Sequence, residues 1–200
     1  MEYAKDGLSL RFNGRDRNDM EEDSQNRWRA DCPYDKCKGS KKILLECGHN
    51  PQDAIFEIDD EEVEEDQRFV LDRVNIDTTC LKRPIVKIEF SSLIAFEAED
   101  EDGSEHEVEV DLLFKLKRTC NGSEETIQTW RYLKEFDIEN DIDELEIEIS
   151  EPFTVTFCDR ACPGCCEYKM VVEGKDFEGD FEFLRVVKPD LSALAVGLCD

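Results

Sequence analysis

From Lys42 onward, apolar and polar side chains alternate with a period of two almost everywhere, and helical spacing is nearly absent. A strand patterned in this way buries one face and wets the other, so the chain must build sheets that cover a core on one side. The clearest stretches are Ile88, Phe90, Ile94 and Phe96; Val108, Val110, Leu112, Phe114 and Leu116; Leu145, Ile147 and Ile149; and Phe153, Val155 and Phe157. The pattern predicts strands over 42–47, 54–58, 68–76, 84–97, 105–118, 125–136, 143–149, 152–158, 166–173 and 180–188. Asp102-Gly103, Asn121-Gly122 and Glu178-Gly179-Asp180 supply turns between them, and Pro84 and Pro152 are expected at strand starts, where a missing N–H does least harm. Many strands without crossover helices predict an all-β fold, an antiparallel β-sandwich of jelly-roll type; an open barrel is the alternative.

The first forty residues differ. Polar and charged residues dominate, and Asn18 to Asn26 cannot bury enough apolar surface to offset the entropy of ordering. The expected organisation is a flexible N-terminal arm over 1–40 and a sandwich domain over 41–200. Within the arm, Leu8, Leu10 and Phe12 alternate with Ser9 and Arg11 between Gly7 and Gly14, a short strand with one apolar face. Such a piece can add to a sheet edge of a neighbour, pair within its own chain, or stay unpaired.

Acidic residues number 51 against 25 basic ones, a formal net charge of −26, which repels phosphates and anionic lipid surfaces and disfavours nucleic acid as a partner. No window approaches the ~20 apolar residues that a membrane span needs, and Met1 to Arg11 lacks the pattern of a signal peptide. The expectation is synthesis in the cytoplasm without an export signal and no membrane partner.

Ten cysteines, Cys32, Cys37, Cys47, Cys80, Cys120, Cys158, Cys162, Cys165, Cys166 and Cys199, exceed ordinary cytosolic usage. Manufacture in a reducing compartment followed by release into an oxidising one reconciles the two observations; zinc binding is the competing account. Cys158, Cys162, Cys165 and Cys166 surround a Pro-Gly turn, and thiolates at short spacing can share a tetrahedral ion. A zinc knuckle wants two separated Cys-x2-Cys pairs, whereas Cys162 and Cys165 form one and Cys32 with Cys37 has a longer spacing. Disulfides fit better. Adjacent Cys165 and Cys166 on a strand point to opposite faces, so each needs its own partner. Cys47, Cys80 and Cys120 are placed to close bridges within the domain, while Cys32, Cys37 and Cys199 lie on segments able to reach another subunit. Whether the bridges are internal, intersubunit or absent cannot be read from spacing.

The acidic runs 57–66 and 97–107 include Asp100, Asp102 and Glu105 around Gly103, loosely spaced like calcium ligands but without an ordered calcium loop. His49 and His106 are the only histidines and neither sits in a catalytic motif, so the expectation is not an enzyme and no cofactor. Trp130 and Tyr132 share a strand face, suited either to stacking on a sugar or to the core.

Three segments carry a resemblance: Lys42-Ile-Leu-Leu-Glu-Cys47-Gly48; Val74-Asn-Ile-Asp-Thr-Thr-Cys80-Leu-Lys-Arg-Pro84-Ile-Val-Lys-Ile-Glu-Phe-Ser-Ser92; and Phe157-Cys-Asp-Arg-Ala-Cys-Pro-Gly-Cys-Cys-Glu-Tyr168. Over 42 to about 173 the chain resembles a family of small cysteine-rich proteins from anaerobic spore-forming Firmicutes, a domain of unknown function that carries no assigned activity. The resemblance implies a host in which spore-surface proteins are made without export signals and are cross-linked once the mother cell lyses. In outline it is similar to jelly-roll spore-appendage subunits whose cysteine-bearing N-terminal connectors bridge to neighbours.

The resulting expectation is a structural, self-assembling subunit of a spore surface layer or appendage fibre. Leu8, Leu10 and Phe12 would set register by strand addition, and Cys32 or Cys37 would lock it to Cys165, Cys166 or Cys120. The alternative is a monomeric carbohydrate- or calcium-binding module with internal disulfides.

Overall fold

The computed structural model describes residues 42–59, 62–64, 67–100, 106–138, 145–161 and 163–198. Leu8, Leu10, Phe12, Cys32, Cys37, Cys162, Cys199 and the turn 101–105 lie outside the described residues. The strands are β1 (Lys42–Cys47), β2 (Ala54–Ile55), β3 (Ile58–Asp59), β4 (Glu62–Val63), β5 (Arg68–Asp77), β6 (Lys82–Asp100), β7 (His106–Cys120), β8 (Ser123–Ile138), β9 (Leu145–Asp159), β10 (Cys165–Glu178) and β11 (Asp180–Leu198).

One sheet has the order β1-β11-β6-β9, with β2 also on β11; a second has the order β5-β10-β7-β8; β3 and β4 form a small hairpin. All pairings are antiparallel. Counted along the chain, the eight long strands fall as first, eighth, third and sixth in one sheet and second, seventh, fourth and fifth in the other, which is the jelly-roll arrangement. The open-barrel alternative fails because, among the described residues, no strand of one sheet pairs with a strand of the other.

Ile88, Phe90, Ile94 and Phe96 of β6 face Leu112, Phe114 and Leu116 of β7 and Tyr168, Met170 and Val172 of β10, all buried in one cluster. Phe153 of β9 closes the edge by stacking on Phe114 at 4.1 Å and standing edge-on to Tyr132 at 6.4 Å. Tyr132 is therefore a core residue, and its face is not open to a sugar ring.

Prolines explain where the strands depart from expectation. The segments 143–149 and 152–158 are one strand, β9, running through Pro152 opposite Leu93; as an edge strand it tolerates a missing donor. β11 continues past 188 to Leu198 because Pro189 falls in a bulge, with Lys188 at φ 52° and its N–H donated to Asp53 Oδ1 at 2.9 Å. β6 likewise begins at Lys82, before Pro84, with Arg83 at φ 50° in a second bulge. The stretch 54–58 divides into β2 and β3 because Phe56 turns into the core against Phe69 and Phe177.

Candidate functional site

The eight long strands run between two ends of the sandwich with different chemistry. At one end β5, β7, β9 and β11 finish and β1, β6, β8 and β10 begin, and there the described cysteines other than Cys47 collect. The β7–β8 turn is Asn121-Gly122, with φ of 52° and 78°, the paired positive values that a tight two-residue hairpin requires. It places Cys120 at the end of β7, directly opposite Cys166 at the start of β10. The two are joined by a disulfide with a Cα–Cα distance of 4.6 Å, the spacing of a non-hydrogen-bonded antiparallel pair.

Cys165 points the other way, is exposed and carries a free thiol. Cys158 near the end of β9 and Cys47 at the end of β1 are also free and exposed, and Cys80 is disulfide-bonded. Cys120 and Cys166 therefore cannot both serve the chain's fold and receive an arm cysteine, because each sulfur already holds the other; that part of the sequence expectation is corrected, leaving Cys165 of the three.

The thiols sit on a stiff support. Asp159, next to Cys158, turns inward and accepts hydrogen bonds from Arg118 Nη1 at 2.6 Å and Tyr168 Oη at 2.8 Å, tying the end of β9 to β7 and β10. Burial first, and then the Asp159 charge, pushes the Tyr168 hydroxyl far above its ordinary range, so it stays a proton donor. Gly164, before Cys165, is clasped by Thr78: Thr78 N and Oγ1 donate to Gly164 O at 2.7 and 3.0 Å, and Gly164 N donates to Thr78 Oγ1 at 3.2 Å.

The opposite end is carboxylate-rich, and the registers set like charges side by side: Glu97 faces Glu148, Glu99 faces Glu146, and Glu109 faces both Glu135 and Glu178. Partial desolvation, then Glu182, Glu148 and Glu146, raise the Glu97 pKa above 4.5; desolvation, then Asp176, Glu135, Glu178 and Asp111, do the same to Glu109. Among the described residues no group of three or more His, Cys, Asp or Glu is placed to hold a metal ion. His49 is exposed at the surface, its backbone N–H bonded to Arg73 O at 3.0 Å.

Two features escaped the sequence reading. Asp72 is 1 % exposed and accepts from Arg73 N at 2.7 Å, Asn50 N at 3.2 Å and Leu191 N at 3.1 Å, pinning the turn after β1 and the middle of β11 to β5. Gly48 leaves room for it, since a Cβ there would stand 1.8 Å from Asp72 Oδ2. The only signal was an aspartate inside the apolar strand Phe-Val-Leu-Asp-Arg-Val. The second feature is an aliphatic patch on the outer face of β1, β11 and β6, foreshadowed by Ile43-Leu44-Leu45, which breaks the alternation.

Residues 41–196 match a family described as a domain of unknown function, DUF4489. The chain belongs to the DUF4489 family. No curated protein matches the chain. Solved structures similar to this DUF4489 domain include those of infectious bursal disease virus Gx strain (8 % identity, TM-score 0.36) and Gt strain (10 %, TM-score 0.32), each over 82 % of this chain. The chain spans 39 % and 40 % of those viral chains, and at these scores the likeness carries no argument about what the domain does.

Proposed function

We propose that this DUF4489 protein is a structural, non-catalytic subunit that assembles with copies of itself and is fixed by disulfides formed at its cysteine-bearing end. The observation that carries the reading is the presentation of free, exposed Cys158 and Cys165 on a support stiffened by Asp159 and Thr78, beside an internal disulfide that already serves the fold. Each cross-link joins two thiol sulfurs; two protons and two electrons pass to an oxidant such as dioxygen, which becomes hydrogen peroxide. Cys32 or Cys37 of a neighbour supplies the second thiol, and Leu8, Leu10 and Phe12 of that neighbour add to a sheet edge to set the register. The setting that fits synthesis in a reducing compartment and later oxidation is a spore surface layer or appendage fibre reached after mother-cell lysis.

The full-length protein, oxidised in air and run on a non-reducing gel, should give a ladder that collapses with reductant. Cys32→Ser/Cys37→Ser or Cys158→Ser/Cys165→Ser should each shorten the ladder to at most a dimer. A single monomer band from the oxidised wild type refutes the proposal and favours internal bridging.

A further inference from the structure

The outer face of the first sheet carries a block of aliphatic side chains that no other described strand packs against. Cross-strand pairing puts Ile43 of β1, Val196 of β11 and Ile85 of β6 in one row, and Leu45, Leu194, Lys87 and Cys158 in the next. Ile43 is 69 % exposed, Leu45 65 %, Leu198 56 %, Ile85 49 % and Val196 44 %. Together these five expose on the order of 500 Å² of apolar surface, at the upper end of what a soluble monomer leaves in one patch and well over half of the ~800 Å² that one partner contributes to a standard interface.

Charge decides the occupant. The −26 net charge keeps copies of the chain apart wherever carboxylates dominate, as at the end holding Glu97, Glu109, Glu146 and Glu148. Beside the aliphatic block, Lys82 stands opposite Leu198, and Arg83 and Lys87 stand with Glu89, so carboxylates do not dominate there. Two molecules that meet there with their strands antiparallel keep their acidic ends away from each other while they bury the aliphatic rows together.

We infer that this face, built on Ile43, Leu45, Ile85, Val196 and Leu198, is a docking surface for a second copy of the chain and forms a dimer that needs no disulfide. The choice of partner rests on the self-assembly reading, but the contact is separable from it. Sedimentation velocity of the full-length protein in excess reductant should show a concentration-dependent species of twice the monomer mass. Ile43→Asp and Val196→Asp, both at exposed positions, should each weaken it by about tenfold or more, with an unchanged circular dichroism spectrum, while Thr129→Asp on the other sheet leaves it intact.

A monomer at every concentration overturns the inference, whether limited proteolysis then finds residues 1–41 shielded, so that the chain's own N-terminal segment covers the face, or open. Loss of the reduced dimer with retention of the oxidised ladder sinks this contact alone. A reduced dimer without any oxidised ladder sinks the disulfide assembly alone.

Discussion

The bond between Cys120 and Cys166 closes a loop with a sequence separation of 46 residues, and restricting the unfolded chain by that much is worth about 4 kcal/mol in the chain-entropy account. Cys120→Ala should lower unfolding free energy by about that amount in a denaturant titration, whereas Cys165→Ala, which removes an exposed and free thiol, should change it by less than about 0.5 kcal/mol. Asp72 is the second sensitive position. Asp72→Ala strands three backbone donors that now bond to its carboxylate, two of them from segments far away in sequence, and should cost about 3 kcal/mol or more in the same titration. Gly48→Ala should behave similarly, since its Cβ would collide with that carboxylate.

At the scale of elements, the β7–β8 hairpin isolates the backbone contribution of a turn. Gly122 has φ 78° and open space where a side chain would go, so Gly122→Ala carries only the left-handed backbone strain and should cost about 1 kcal/mol by thermal melting. Most strands were legible because the period of two survives wherever one face is buried and the other wet, as along β6 and β7. The end of β11 was not, because Pro189 looks like a terminator until the bulge and its Asp53 cap are seen. Pro152 misled for a related reason: whether a strand lies at an edge is a tertiary fact. The adjacent Cys165 and Cys166 predicted a separate partner for each: Cys166 has one in Cys120, a choice that depends on β10 lying beside β7 and that spacing cannot reveal, whereas the Cys165 thiol is free. The aliphatic face was half-legible in Ile43-Leu44-Leu45, and became a surface only when Ile85 and Val196 arrived in register with Ile43.

Over the whole molecule, charge is unevenly spread, and stability should follow it. Glu97 and Glu109 have folded pKa values above 4.5, so their ionised forms oppose folding at neutral pH and are relieved as the pH falls through the folded values toward 4.5. Glu173 is opposite: burial raises its pKa, but the hydrogen bond from Lys115, with help from the charges of Lys115, Lys175 and Arg68, outweighs this and leaves it below 4.5, so its stabilisation is lost only as the pH falls through that lowered value. The melting temperature should therefore climb on going from about pH 8 to about pH 5 and drop below about pH 4; a monotonic fall across that range would contradict the account. Raising salt from ~0.01 M to ~0.15 M, which shortens the screening length from ~30 Å to ~8 Å, should also raise it. The two free thiols on the stiff end have a mechanical consequence. Only six residues, 159–164, separate Cys158 from Cys165. A neighbour linked at either sulfur is therefore anchored at one corner of the sandwich, and tension that enters at Cys158 and leaves through the molecule's own Cys32 or Cys37, ahead of β1, crosses the first sheet from β9 through β6 and β11 to β1, so the hydrogen bonds of that sheet would bear the load.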